Sequence, residues 1–247
     1  MILRTLLVAL VAGLIAGVFM TGAQHLRVVP LILEAEVYEQ GAAHADHAGL
    51  RSSGPGLFAQ LSPVSPAYAH DAEGAHGEEG GLLFGLNRFS GTLLANLVAG
   101  AGFSLLLMGI ALVTGEGVTA RNGLIWGAFG WLAVHLLPSL GLPPELPGFP
   151  AAELSDRQLW WIATVLFSAA GLGLLALRRE TAARIGGLVL IALPHLWGAP
   201  QPTDLASPVP AVLGAEFAVA ALATTLAFWL VLGLVHGLLN DRAARAS

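Results

Sequence analysis

The sequence predicts an all-α integral membrane protein: a compact bundle of six transmembrane helices, with five as the alternative, and a cytoplasmic N-terminus. Three observations predict it. Of the 247 residues, 55% are hydrophobic and 11% charged, where soluble globular domains carry about 25% charged residues. Four separate apolar runs are each long enough to cross a hydrocarbon core of about 30 Å, which takes about 20 helical residues. The basic residues, all of them arginine, gather on alternate loops. These features exclude a soluble enzyme, a disordered chain and a nucleic-acid binder. Cysteine is absent, so neither a disulfide framework nor a thiolate ligand is available.

The first run, residues 4–24, follows Arg4 and is longer than the 7–15-residue core of a signal peptide. It carries Ala9, Gly13, Gly17 and Thr21 four apart, a ridge that lets another helix approach closely. It is read as a retained helix. The second, third and fourth runs cover residues 92–114, 122–140 and 159–177. Small-residue ridges recur in them at Gly91, Ala95 and Ala99, at Gly123 and Gly127, and at Ala169 and Gly173. The fifth run, 185–197, is short and interrupted by Pro194, which suits a broken or re-entrant helix as well as a full span. The sixth, 211–239, is overlong and must tilt or extend beyond the lipid.

Arginine counting favours six spans. With the N-terminus inside, Arg4, Arg121, Arg178, Arg179, Arg184, Arg242 and Arg245 are cytoplasmic. Arg27, Arg51, Arg88 and Arg157 lie outside, among most of the acids. Five spans would put Arg242 and Arg245 opposite the cluster from Arg178 to Arg184. The whole chain, 1–247, is read as one membrane domain in contact with lipid. Within it, residues 40–81 form a flexible outer loop bearing His44, Asp46, His47, His70, Asp71, Glu73, His76, Glu78 and Glu79. Such a tract can gather divalent cations loosely. The Pro-rich stretches 143–150 and 200–210 are outer loops short enough to lie against the bundle.

Ionisable groups inside a membrane are costly and usually face a partner or a cavity. His25, His135, His195 and Glu216 fall at one depth near the outer face, while His236 lies toward the cytoplasm. His25 and His135 continue the ridges of their helices, although such a ridge drifts by about 40° per four residues. Pro194 would break its helix just before His195 and free carbonyls of the kind that ligate ions in transporters. Three imidazoles and a carboxylate without sulfur suit cobalt, nickel or zinc. His236 is read as an interhelical hydrogen bond reaching toward the interface, or as an exit ligand. No G-x-x-x-x-G-K-[ST], G-x-S-x-G, H-E-x-x-H or C-x-x-C-H motif is present, and no catalytic constellation is recognisable.

At these residues the sequence resembles the CbtA family of probable cobalt transporter subunits. The likeness is carried by Gln24-His25 and the stretch from Val29 to Glu39, by Trp126-Gly127 and His135 to Gly148, and by Arg157 to Trp161. Leu193-Pro194-His195, Gly198 to Pro202, Val209-Pro210 and Ala215-Glu216-Phe217 continue it. The resemblance implies five spans and a part in cobalt uptake, the latter inferred from association with cobalamin supply. It implies a small single-span, His-containing partner, CbtB, and adds Glu34 and Glu36 to His25, His135, His195 and Glu216 as metal-binding candidates.

The sequence therefore reads as a multi-pass subunit of a bacterial inner-membrane uptake system. The ion (cobalt, or nickel or zinc) is its cargo, and no tightly bound cofactor is expected. On that reading, replacing His195 by alanine abolishes uptake. The rival is a structural or assembly subunit of a larger membrane complex, with His and Glu joining helices. An enzyme acting on a lipid-soluble substrate ranks third.

Overall fold

The computed structural model describes the backbone of residues 2–51 and 87–246, and the side chains of 3–41 and 87–246. The described residues form helices joined by loops, without strands. In order they form α1 (Ile2–Arg27), α2 (Val29–Arg51), α3 (Arg88–Thr114), α4 (Gly123–Trp131), a π-helical segment (Leu132–Leu136), α5 (Leu137–Ser139), α6 (Leu154–Leu177), α7 (Thr181–Trp197) and α8 (Ala211–Arg245). By length and composition α1, α3, α6 and α8 can each cross a membrane. The unit Gly123–Ser139 and α7 are shorter apolar helices of 17 residues, about 26 Å at 1.5 Å per residue. The chain is thus a multi-helix membrane protein.

Glycine contacts hold the main bundle together. Without side chains in the way, Gly13 of α1 lies on Gly100 of α3, and Gly17 on the backbone of Asn96. Gly123 and Gly127 of α4 lie on the backbone of Gly233 and Trp229 in α8, and Gly237 lies on Thr119. A Cβ at any of these positions would overlap backbone atoms of the facing chain. Ala9, Gly13, Gly17 and Thr21 are all buried, so the ridge expected in α1 is the packed one. Asn96 adds polar bonds across this contact, donating to Thr21 Oγ1 at 3.1 Å and Gln24 Oε1 at 2.7 Å. Ala16, Met20, Leu107, Phe228, Trp229 and Leu232 fill the centre.

Two expected ridges are not the packing faces. Ala95 and Ala99 are exposed, and α3 packs instead through Asn96, Gly100 and Ser104. Likewise Ala169 is exposed and nothing lies within 4 Å of a Cβ on Gly173; α6 meets α7 through Gly171 against Gly187. Small residues four apart occur on more than one face of a Gly- and Ala-rich helix, so spacing alone does not choose the face. The α6–α7 hairpin stands apart from the main bundle. It joins it where α6 meets the π segment, α5 and α4.

One end of the bundle is rich in loops. The tract expected to be loop from residue 40 is helical as far as Arg51, as the end of α2. Residues 52–86, including His70, Asp71, Glu73, His76, Glu78 and Glu79, lie outside the described residues, as do the side chains of His44, Asp46 and His47. Val28, Leu31, Ile32 and Ala35, spaced for one helical face, pack with Leu146, Phe149, Val209 and Leu213. Ser207 Oγ donates to the Gly148 carbonyl at 2.9 Å, so the two Pro-rich loops lie against the bundle and each other. At the far end, Asn240 Nδ2 donates to Val118 O at 3.1 Å and Asp241 Oδ2 accepts from Ala120 N–H at 3.0 Å. These bonds close the turn before α4 onto the end of α8.

Helix α7 is not broken before His195. It runs through Pro194 to Trp197, because proline in a last turn costs a bond but leaves only a few residues to misalign. Gly198, at φ 92°, then ends it in a conformation suited to glycine. The Pro194 carbonyl is taken: it accepts from Trp160 Nε1 at 3.2 Å and from Gly198 N–H at 3.1 Å.

Candidate functional site

A cleft of about 980 Å³ opens at the loop-rich end, between the π segment, the loop after α5, the start of α6 and the middle of α8. Its walls are mostly apolar: Val134, Pro138, Leu142, Phe149, Ile162 and Leu222 among them. Its polar groups are His135, Ser139, Glu145, Arg157, Gln158 and Thr225. It forms because the α6–α7 hairpin leaves the main bundle at this level.

The π segment positions His135. Pro138 has no N–H and its ring crowds the carbonyl four residues back, so the helix widens just before it. The Leu137 N–H reaches the Leu132 carbonyl, five residues earlier. Single π turns inside α-helices recur at functional sites. The wider turn also offsets the drift of a four-residue ridge, so His135 stays in line with Gly127 and Trp131 and meets α8. Two indoles stitch this contact in opposite senses. Trp131 Nε1 donates to Leu222 O and Thr225 Oγ1, each at 3.2 Å. Trp229 Nε1 donates to His135 Nδ1 at 3.1 Å.

Trp229 is held firmly. It is 1% exposed, packs on Phe103 with ring centroids 4.8 Å apart, and touches Gly130 so closely that a Cβ there would overlap the indole. Because indole N–H is only a donor, His135 Nδ1 must accept, and the neutral imidazole carries its proton on Nε2. At the rim, Arg157 of α6 pairs with Glu145 of the preceding loop at 2.9 Å. Its Nε is buried and has no hydrogen-bond partner.

The expected metal-binding residues are in separate places. His25 is exposed at the end of α1, edge-on to Phe89 of α3 at 5.8 Å. Glu34 is exposed, and Glu36 is paired with Arg88 at 2.9 Å. His195 lies edge-on to Trp160 at 5.8 Å, with Nε2 buried and unpartnered. Glu216 is exposed on α8. Of the six, His135 lines the cleft. Among the described residues no three His, Asp or Glu side chains form a group that could hold a metal ion. The depth expected from the sequence leaves the direction of each side chain open, and the elements that carry His25, His135, His195 and Glu216 turn theirs different ways.

Sequence reasoning passed over three groups here. Arg157 and Glu145 were visible as charges beside an apolar run, but their pairing across a loop was not. Trp229 was one apolar residue among many. His236 departs from its expected place: it is 1% exposed, well inside the bundle, and its Nδ1 lies 2.9 Å from Ser104 Oγ of α3. A second cavity of about 230 Å³, lined by Thr5, Met108, His236 and Asn240 among others, adjoins it at the far end.

A family model described as "Probable cobalt transporter subunit (CbtA)" matches residues 2–241, nearly the whole chain. No curated protein and no solved structure matches the chain.

Proposed function

The chain belongs to the CbtA family of probable cobalt transporter subunits, and on that premise we propose that it is the membrane-embedded subunit of a cobalt uptake system in a bacterial inner membrane. The loop-rich end faces outward, the orientation that the arginine distribution favours, and the cleft beside His135 admits the cargo. The observation that carries this reading is His135 itself. A π segment places the ring on the wall of the cleft of about 980 Å³, and a buried tryptophan fixes its orientation.

The cargo passes from the cleft toward the far end, where His236 and Asn240 line the smaller cavity. Cobalt is not preferred by affinity for nitrogen and oxygen ligands, since nickel and copper rank above it. Selectivity therefore rests on geometry or supply, and nickel or zinc would compete. The family description as a subunit implies a partner, and a small single-span, His-containing protein fits that place. His25, His195, Glu216, Glu34 and Glu36 lie outside the cleft lining and would act with such a partner.

The test is cobalt uptake by a transport-deficient bacterium expressing the chain with and without its small partner. Changing His135 to Phe should cut uptake at least tenfold at matched protein levels; unchanged uptake removes His135 from the route. A structural or assembly subunit is the second reading, favoured by the absence of a converging ligand group among the described residues. Co-purification of a large membrane complex, with no uptake in any combination, would select it.

A further inference from the structure

We propose that the polar end of the cleft is a site for the oxygen atoms of an acidic ligand, so that cobalt is admitted there as a complex with an organic acid and not as the bare ion. Naming the cobalt complex rests on the uptake reading above; the oxyanion site can be tested apart from it.

Four observations point the same way. The first is the proton on His135. To bind a metal through Nε2, the ring would have to move its proton to Nδ1, where it would face the N–H of Trp229 at 3.1 Å. To bind through Nδ1, Trp229 would have to leave a packed, 1% exposed position against Phe103 and Gly130. Neither is compatible with the fold as it stands, so His135 offers the cleft an N–H donor. The second is Arg157. One of its amino groups binds Glu145, while its buried Nε has no acceptor. A buried donor without a partner costs free energy until an acceptor arrives.

The third is charge. Among the described residues Glu145 is the only carboxylate on the cleft wall, and it is already neutralised by Arg157, so there a divalent cation arriving alone finds no free anionic ligand. The fourth is size and polarity. About 980 Å³ with mostly apolar walls falls in the range of pockets that take organic molecules, and far exceeds what a hydrated ion occupies. An oxygen-rich chelate presents acceptors to His135 and Arg157, which both line the cleft, while its body rests on apolar wall. The same chemistry is carried by the headgroup of an acidic phospholipid entering from the bilayer, and the experiment separates the two sources.

The full chain is placed in phosphatidylcholine nanodiscs. Cobalt chloride, metal-free citrate and cobalt citrate are titrated in turn, following both calorimetry and the visible bands of imidazole-bound cobalt. Citrate and cobalt citrate should bind, at least tenfold more weakly in R157Q and H135F. In H135Q binding should stay within a few-fold of wild type, because a glutamine amide can accept from Trp229 and donate to the cleft but is a poor cobalt ligand. Cobalt chloride should give no His135-dependent bands. If phosphatidylglycerol in the disc abolishes citrate binding or alone occupies the site, the oxyanion site stands and its source is lipid. His135-dependent imidazole–cobalt bands from cobalt chloride, or no binding of citrate, cobalt citrate or phosphatidylglycerol, would overturn the proposal. Cobalt uptake persisting in cells in that case would leave the transport reading intact. Anion binding in discs without any uptake in cells would do the reverse.

Discussion

His135 and His236 are the same residue in comparable settings: each sits in an apolar helix and holds one side-chain bond across to a neighbour. The partners differ in kind. Trp229 can only donate, so it fixes which nitrogen of His135 carries the proton. Ser104 can donate or accept, so His236 keeps both tautomers at 2.9 Å from the hydroxyl. The surroundings differ too, a cleft of about 980 Å³ at one end and a pocket of about 230 Å³ at the other. The lesson is that an intramembrane histidine is defined by its neighbour's chemistry. His135 offers a hydrogen to what lies in the larger cleft, whereas His236 is free to offer a lone pair to the smaller pocket.

The largest effect should come from prising apart the helices that hold both rings. Helix α8 carries both Trp229 and His236, and Gly127 of α4 rests on the backbone of α8 at Trp229. Changing Gly127 to Leu should cost more than the roughly 1–3 kcal/mol of ordinary overpacking, since backbone stands in the way. Thermal unfolding in detergent should show a fall in midpoint of ten degrees or more, or no folded protein. A wild-type midpoint would mean that α4 and α8 do not pack in this way.

Changing Trp229 to Phe breaks the contrast at its source. The variant should lose about 1–3 kcal/mol, from the missing bond and lost packing, and should acquire His135-dependent binding of aqueous cobalt that the wild type lacks. Visible spectroscopy of the purified protein reads it directly. If W229F gains no binding, the indole is not what withholds the lone pair.

Much of the fold was legible, because long apolar runs are one-dimensional signals. Helix α2 was missed since Glu34, Glu36 and Glu39 interrupt any search for apolar length. Its signature was the helical spacing of Val28, Leu31, Ile32 and Ala35, which pack against the loops. The π turn was missed as well, though Pro138 inside the third run announced a disturbed helix. The expected convergence of His25, His135, His195 and Glu216 came from depth, one coordinate out of three. The bond that sets the chemistry of His135 joins residues 94 apart in sequence, and nothing local to either residue encodes it.

A smaller effect sharpens the comparison from the other side. Ser104 to Ala removes the partner of His236, and interhelical bonds in membranes average about 0.6 kcal/mol. Stability should fall by about that amount in thermal unfolding, with cobalt or citrate binding at the His135 cleft unchanged. A drop in binding at that cleft would show that the two ends are coupled. Smallest in stability is Glu145 to Gln, since the ion pair is about a quarter to a third exposed and such pairs contribute under about 1 kcal/mol. Citrate affinity should nonetheless rise, because the Arg157 guanidinium is released toward the cleft; a fall in affinity would place Glu145 on the ligand's side.

The account rests most on the cleft at His135 being the route of the cargo. Cobalt uptake should therefore be measured in transport-deficient cells expressing wild type, H135F or H135Q together with the proposed small single-span partner, at matched protein levels in the membrane. The predicted result is at least a tenfold loss in H135F and near-normal uptake in H135Q. Uptake in H135F equal to wild type would contradict it.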